Sequence, residues 1–180
     1  MILVFLANGF EEIEALTPVD MLRRAGSDVK TVSITDSKTV TGSHGIPVEA
    51  DLTIKEIPSE IPELVILPGG MPGAKNLRAS ETVCNTVINA NKSGKYIAAI
   101  CAAPFIFGQL GLLEGKKATC YPGFENELKG AKVSKKHVVT DGNIITAAGM
   151  GAALEFSAAL IEVLFGKEKA NSILKSIISD

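Results

Sequence analysis

The chain has 180 residues, 46% of them apolar, and a formal net charge of -2. That length suits one domain, 1–180, able to bury roughly two-thirds of its unfolded surface, and the composition excludes disorder. The near-neutral charge argues against nucleic acid as a main partner, and no apolar run approaches the roughly 20 residues that span a membrane.

Ile2–Leu6 is a continuous apolar run, the pattern of a strand buried on both faces. No Lys or Arg precedes it, so it does not read as a signal peptide. From Ile13 to Ala25 the apolar residues Ile13, Leu16, Val19 and Leu22 recur at three-residue steps, with Arg23 and Arg24 in the last turn and Gly26 as a stop. This predicts a helix. Val29–Ile34 reads as a strand, and Thr39–Thr41 and Ile46–Glu49 flank a Gly-Ser-His-Gly turn as a small hairpin. Leu64–Leu67 is a buried strand ended by Pro68-Gly69-Gly70, and Ala74–Asn91 a helix stopped by Gly94. Tyr96–Ile100 is a strand and Ala102–Leu110 a short helix. Lys117–Cys120, Val138–Thr140 and Ile144–Ala147 are short strands, and Gly151–Phe165 and Lys167–Ile178 close the chain as helices.

Strands alternating with helices imply right-handed crossovers and a parallel sheet covered on both faces. In such sheets sites form at the C-terminal ends of strands. Three segments leave those ends: Ala7–Glu14, Pro68–Gly73 and Cys101–Pro104.

Cys101 follows an apolar strand and precedes Ala102-Ala103-Pro104, so its side chain should stand over the sheet edge on a tight strand-to-helix turn. The N–H groups of a helix start there would lower its thiol pKa. Glu11 and Glu12 read as first-turn helix residues, whereas Glu14 falls near the sheet-facing side. Protonated, Glu14 could donate a hydrogen bond to the sulfur and shuttle protons beside a carbonyl. Pro68–Gly73 reads by itself as a plain turn after a strand, and the alternative is that its Gly69 and Gly70 let backbone approach a ligand and present N–H groups to an oxyanion. Gly149-Met150-Gly151 is a tight turn, since Leu154 breaks a dinucleotide fingerprint. The three cysteines, Cys84, Cys101 and Cys120, are odd in number and widely spaced, which predicts reduced thiols in a cytoplasmic setting. There is no CxxC pair, and His44 and His137 lie far apart, which argues against zinc.

Taken together, Ala7-Asn-Gly-Phe-Glu-Glu-Ile-Glu14, Pro18-Val-Asp-Met-Leu-Arg-Arg-Ala-Gly26, Leu67-Pro-Gly-Gly70, Ala99-Ile-Cys-Ala-Ala-Pro104 and the helix around Glu155-Phe156 resemble the ThiJ/PfpI superfamily. The likeness runs along essentially the whole chain and is nearest to the branch of the parkinsonism-associated deglycase and the bacterial protein YajL. It implies a flavodoxin-like three-layer α/β/α sandwich with a mostly parallel central sheet, and a homodimer. It also implies a nucleophilic, easily oxidised Cys101, a protonated partner at Glu14, and backbone donors around Gly69, Gly70 and Ala102. Four places depart from relatives: Ala103 where glycine is common, Tyr121 where the parkinsonism-associated protein has a histidine and YajL-like relatives an aromatic, His44 in place of an arginine, and Gly149-Met-Gly-Ala152 in place of a Gly-Pro-Gly-Thr turn. His44 and Tyr121 are therefore candidate contacts at the substrate or dimer site.

The function this resemblance implies is cofactor-independent, metal-free glyoxalase or deglycase chemistry on methylglyoxal-like dicarbonyls or glycated groups. The alternative is a redox-sensing stress protein or chaperone acting through oxidation of Cys101. Ala102 stands where the superfamily's peptidases carry a histidine, which counts against peptidase or amidase activity.

Overall fold

A computed structural model describes residues 1–179. The strands are β1 (Ile2–Leu6), β2 (Val29–Ser33), β3 (Thr39–Thr41), β4 (Pro47–Glu49), β5 (Leu52–Thr53), β6 (Leu64–Leu67), β7 (Tyr96–Ile100), β8 (Lys117–Ala118), β9 (Lys132–Val133), β10 (Val138–Asp141) and β11 (Ile144–Ala147). The helices are α1 (Glu12–Ala25), α2 (Gly73–Ala79), α3 (Glu81–Lys92), α4 (Pro104–Gln109), α5 (Ala153–Phe165) and α6 (Lys167–Ser176).

Seven strands form the central sheet in the order β10-β11-β7-β6-β1-β2-β5. All neighbours pair parallel except β10 with β11. Side chains alternate across this sheet, so each strand feeds two cores. Ile2, Val4 and Leu6 pack with Val19, Leu22, Phe156 and Leu160 on the α1–α5–α6 face. Leu3, Phe5, Val65 and Leu67 pack with Leu77, Val87 and Phe107 on the α2–α3–α4 face. The result is the covered parallel sheet that the alternating pattern implied, in the three-layer, flavodoxin-like sandwich that the resemblance implied. Among the described residues, no helix is long and apolar enough to cross a membrane.

The sheet also fixes the place of the site. β1 sits between β2 and β6, so the chain leaves β1 toward one edge and returns to build the other half beyond it. Such a switch point leaves a crevice at the strand ends. The segments after β1, β6 and β7 carry Glu14, Gly69 and Cys101 into it.

Several elements differ from the sequence reading. The single helix expected over Ala74–Asn91 is two, broken at Ser80. Ser80 takes an extended backbone and its hydroxyl caps α3 by accepting from the Val83 amide. The strand expected over Lys117–Cys120 shortens to β8 and pairs with β9 outside the main sheet. β5, too short to show a pattern, extends the sheet beyond β2. On α1, the stripe's Val19 and Leu22 are buried but Ile13 is about half exposed, because three-residue steps drift around a 3.6-residue helix. The buried residues of α1 are Glu12, Glu14, Ala15, Pro18, Val19, Met21, Leu22 and Ala25. The drift brings a carboxyl, not an isoleucine, under the sheet edge.

Candidate active site

Cys101 adopts φ 65°, the left-handed region that a side chain with a Cβ seldom occupies. Such a conformation costs of order 1–3 kcal/mol and persists only where its surroundings enforce it. Here the Cys101 amide donates to the Ala147 carbonyl at 2.9 Å, and its carbonyl accepts from the Tyr121 amide at 2.8 Å. β7 is thereby stopped and α4 begins only at Pro104, later than the sequence suggested.

Glu14 reaches the sulfur from α1. It is 1% exposed, and one carboxyl oxygen accepts from the Gly69 amide at 3.0 Å. A methyl group placed on Gly69 would lie 2.5 Å from that oxygen, 2.7 Å from Cys101 Cβ and 3.1 Å from Cys101 Sγ. Position 69 must therefore stay glycine for Glu14 and Cys101 to meet. The Gly69 N–H, expected to face an oxyanion, is instead committed to Glu14. The amides of Gly70 and Ala102 are the ones that face the sulfur.

Burial pushes the Glu14 carboxyl up to about 7, against the hydrogen bonds of Cys101 and the Gly69 and Met150 amides. Burial also pushes the Cys101 thiol up to about 12, reinforced by the charge of Glu14 and opposed by the Ala102 and Gly70 amides. The thiol depression expected from a helix start is thus outweighed by desolvation and a like charge. Two groups this close titrate as one unit. Burial and mutual repulsion make the pair hold one proton above the usual carboxylate range and the other above the usual thiol range, so between the two steps it shares one proton and one negative charge.

Cys84 and Cys120 are both buried, whereas Cys101 is partly exposed. Burial and Glu125 push the Cys120 thiol up to about 11.

A second cluster adjoins the first, and the sequence reading missed its main member. Glu12, read only as a first-turn helix residue, is in the first turn of α1 and buried. One of its oxygens accepts from the His44 amide at 2.8 Å, and the other meets His44 Nδ1 at 2.9 Å. Burial opposes its ionisation, but these hydrogen bonds hold its carboxyl down at about 2. His44 is raised by its bond to Glu12 and the charges of Glu11 and Glu12. His44 therefore fastens the β3–β4 hairpin to the start of α1, two residues from Glu14. Glu11, Glu12 and His44 bring ligand-type atoms within 4.8 Å of one another, but they are engaged with each other and with Ser43. The signal available in sequence was Glu-Glu-Ile-Glu itself, whose spacing cannot place Glu12 and Glu14 both inside.

Tyr121 is exposed, with its ring against Gly149 at one side of the crevice. Its backbone, not its ring, is what bonds to Cys101.

Similarity follows the same geometry. Protein DJ-1 homolog B of Arabidopsis thaliana is 42% identical over 171 residues, covering 94% of this chain and 39% of that protein. The chain thus spans well under half the length of that plant relative. A deglycase of Pyrococcus horikoshii is 33% identical over 147 residues, 81% of this chain and 87% of its own. The solved structure of oxidized Toxoplasma gondii DJ-1 superposes with a TM-score of 0.95 at 38% identity, over 98% of this chain and 97% of that one. With residues 1–163 matching the family model described as DJ-1/PfpI, and with the fold and the Cys101 turn in place, the chain belongs to the DJ-1/PfpI family.

Proposed function

We propose that the protein is a cysteine-dependent enzyme, working without cofactor or metal, that acts on methylglyoxal-like dicarbonyls or on their adducts with amines and thiols. The observation that carries this reading is the convergence of one thiol, one buried carboxyl and two sulfur-facing amides on a left-handed turn. The Pyrococcus horikoshii relative's name as a deglycase supports it.

The sulfur, relieved of its proton, adds to the aldehyde carbon, and the carbonyl oxygen takes up the proton held by Glu14 to give a hemithioacetal. The Glu14 carboxylate then removes the hydrogen from that carbon and returns a proton to the neighbouring carbonyl carbon, while the hemithioacetal hydroxyl gives up its proton and the former ketone oxygen takes one up. The product is a thioester of a 2-hydroxy acid. Water cleaves it, releasing the hydroxy acid and restoring the thiol. No oxidant or reductant enters, because the aldehyde is oxidised at the expense of the adjacent ketone. For an adduct, the same sulfur attack displaces the amine or thiol. The measurement is conversion of methylglyoxal to lactate by the pure protein, followed by NMR. Turnover abolished in Cys101→Ser supports the reading, and turnover unchanged in that variant overturns it.

A redox-sensing reading has one observation in its favour: the Toxoplasma gondii relative was solved in an oxidized form. Two equivalents of peroxide would take Cys101 to a sulfinate, with protonated Glu14 donating to one of its oxygens. Absence of dicarbonyl turnover together with selective Cys101 oxidation would favour this reading.

A further inference from the structure

On the α2 side of the reactive turn lies an open cleft of about 350 Å³. Its walls are Met71, Lys75, Arg78, Phe105, Phe124 and Glu127. Three of the lining residues are close chain neighbours of groups at the sulfur. Gly70, whose amide faces the sulfur, precedes Met71. Phe105 lies one turn into the segment that Cys101 opens. The Tyr121 amide donates to Cys101, and the Phe124 amide donates to Tyr121 at 3.1 Å.

The apolar wall is aromatic. The rings of Phe105 and Phe124 lie 6.3 Å apart, tilted by 37°, with exposed Met71 beside them. The polar wall is unbalanced. Lys75 and Arg78 are three residues apart on α2, so they share a face. Arg78 Nε donates to Gln109 Oε1 at 3.0 Å, and Gln109 Nε2 donates to Glu127 Oε2 at 3.1 Å. Gln109 thus stands between Arg78 and Glu127, which form no ion pair, and Lys75 has no carboxylate partner among the described residues. Two cations against one carboxylate leave excess positive charge beside an aromatic surface. Pockets with an apolar lining and a few convergent polar groups are where small ligands bind.

We propose that this cleft binds a small aromatic carboxylate, its ring against Phe105 and Phe124 and its carboxylate at Lys75 and Arg78. It would be the non-reacting part of the molecule on which Cys101 acts, a clause that rests on the proposed function. Ring stacking supplies affinity, and the guanidinium and ammonium select for the anion.

The probe is N-acetyl-L-phenylalanine, with its uncharged amide as control, titrated into ¹⁵N-labelled Cys101→Ser protein. The acid should shift the amides of Met71, Lys75, Gln109 and Phe124 and bind roughly 3-fold or more tighter than the amide. The double variant Lys75→Ala, Arg78→Ala should erase that preference, and Phe124→Ala should weaken both compounds. In the unaltered protein, the acid should slow alkylation of Cys101 by iodoacetamide. Shifts confined elsewhere, equal binding of acid and amide, tighter binding of the amide, or unprotected Cys101 would each overturn the proposal. Binding and protection without dicarbonyl turnover would sink the enzymatic reading and leave the cleft's ligand standing. Turnover without binding would do the reverse.

Discussion

One proton shared between Glu14 and Cys101 decides how the site behaves at the scale of residues. We infer that in the singly charged pair the proton rests on Glu14 and the charge on sulfur, where the Gly70 and Ala102 amides meet it. Glu14→Gln keeps a donor toward the sulfur but removes the acid–base group. Thiolate absorbance should survive in Glu14→Gln and recede to higher pH in Glu14→Leu, while dicarbonyl turnover in Glu14→Gln should fall roughly 10²–10⁴-fold. Equal loss of thiolate in both variants would place the charge on the carboxylate instead. The pair also bears on stability. Burial makes the pair hold the first proton it loses more tightly folded than unfolded, so the folded state is favoured below the ordinary carboxylate pKa of 4.5, and this advantage is lost as pH rises through about 7. Glu14→Gln should flatten that loss between pH 5 and 8, read as the pH dependence of Tm. Exposure further separates the three thiols. Brief peroxide treatment followed by mass spectrometry should find oxidation at Cys101 ahead of buried Cys84 and Cys120.

Among the elements, the joint between the β3–β4 hairpin and α1 is the one under electrostatic control. Its groups pull in opposite directions on the pH axis. Glu12, held down at about 2, contributes fully above its ordinary 4.5 and is lost as pH falls through about 2. His44, raised by its bond to Glu12, contributes fully below its ordinary 6.5 and is lost as pH rises through its elevated value. The joint is therefore firmest between about 4.5 and 6.5. Amide hydrogen exchange at Gly42–Ile46 should be slowest, after correction for intrinsic rates, in that window. Glu12→Gln should lower the His44 pKa, read from its ring-proton shifts; an unmoved His44 would show that the contact does not persist in solution.

The whole molecule carries apolar surface that its own fold leaves uncovered. Ile13, Ile46, Met150 and Leu154 are each about half exposed. They surround the crevice from α1, the hairpin and the start of α5, which packs against α1. We propose that a second copy covers this face, giving the homodimer that the family resemblance implies. Sedimentation at micromolar concentration should report a dimer, and Ile13→Asp should shift it to monomer without unfolding it, because Ile13 supports no core. A monomeric parent protein would rule the proposal out.

Periodicity in the sequence determined most of the architecture, because a buried parallel strand such as Leu64–Leu67 must be apolar throughout and the helices between strands must be amphipathic. It also singled out Cys101, since a cysteine between an apolar strand and a proline-opened helix can only sit at a strand end. Local pattern failed where a short-range signal and a tertiary contact disagreed. Ile13 completes a three-residue stripe in sequence, yet such steps drift around the helix, and the packing of Val19, Leu22 and Ala25 leaves Ile13 half exposed and turns Glu12 and Glu14 inward. Ser80 breaks a helix that composition alone would continue, by satisfying the first amides of α3. The proton balance belonged wholly to tertiary structure. The helix start at Cys101 was visible in sequence, but the burial and the neighbouring carboxylate that outweigh it arise only when β1, β6 and β7 bring three distant segments to one crevice.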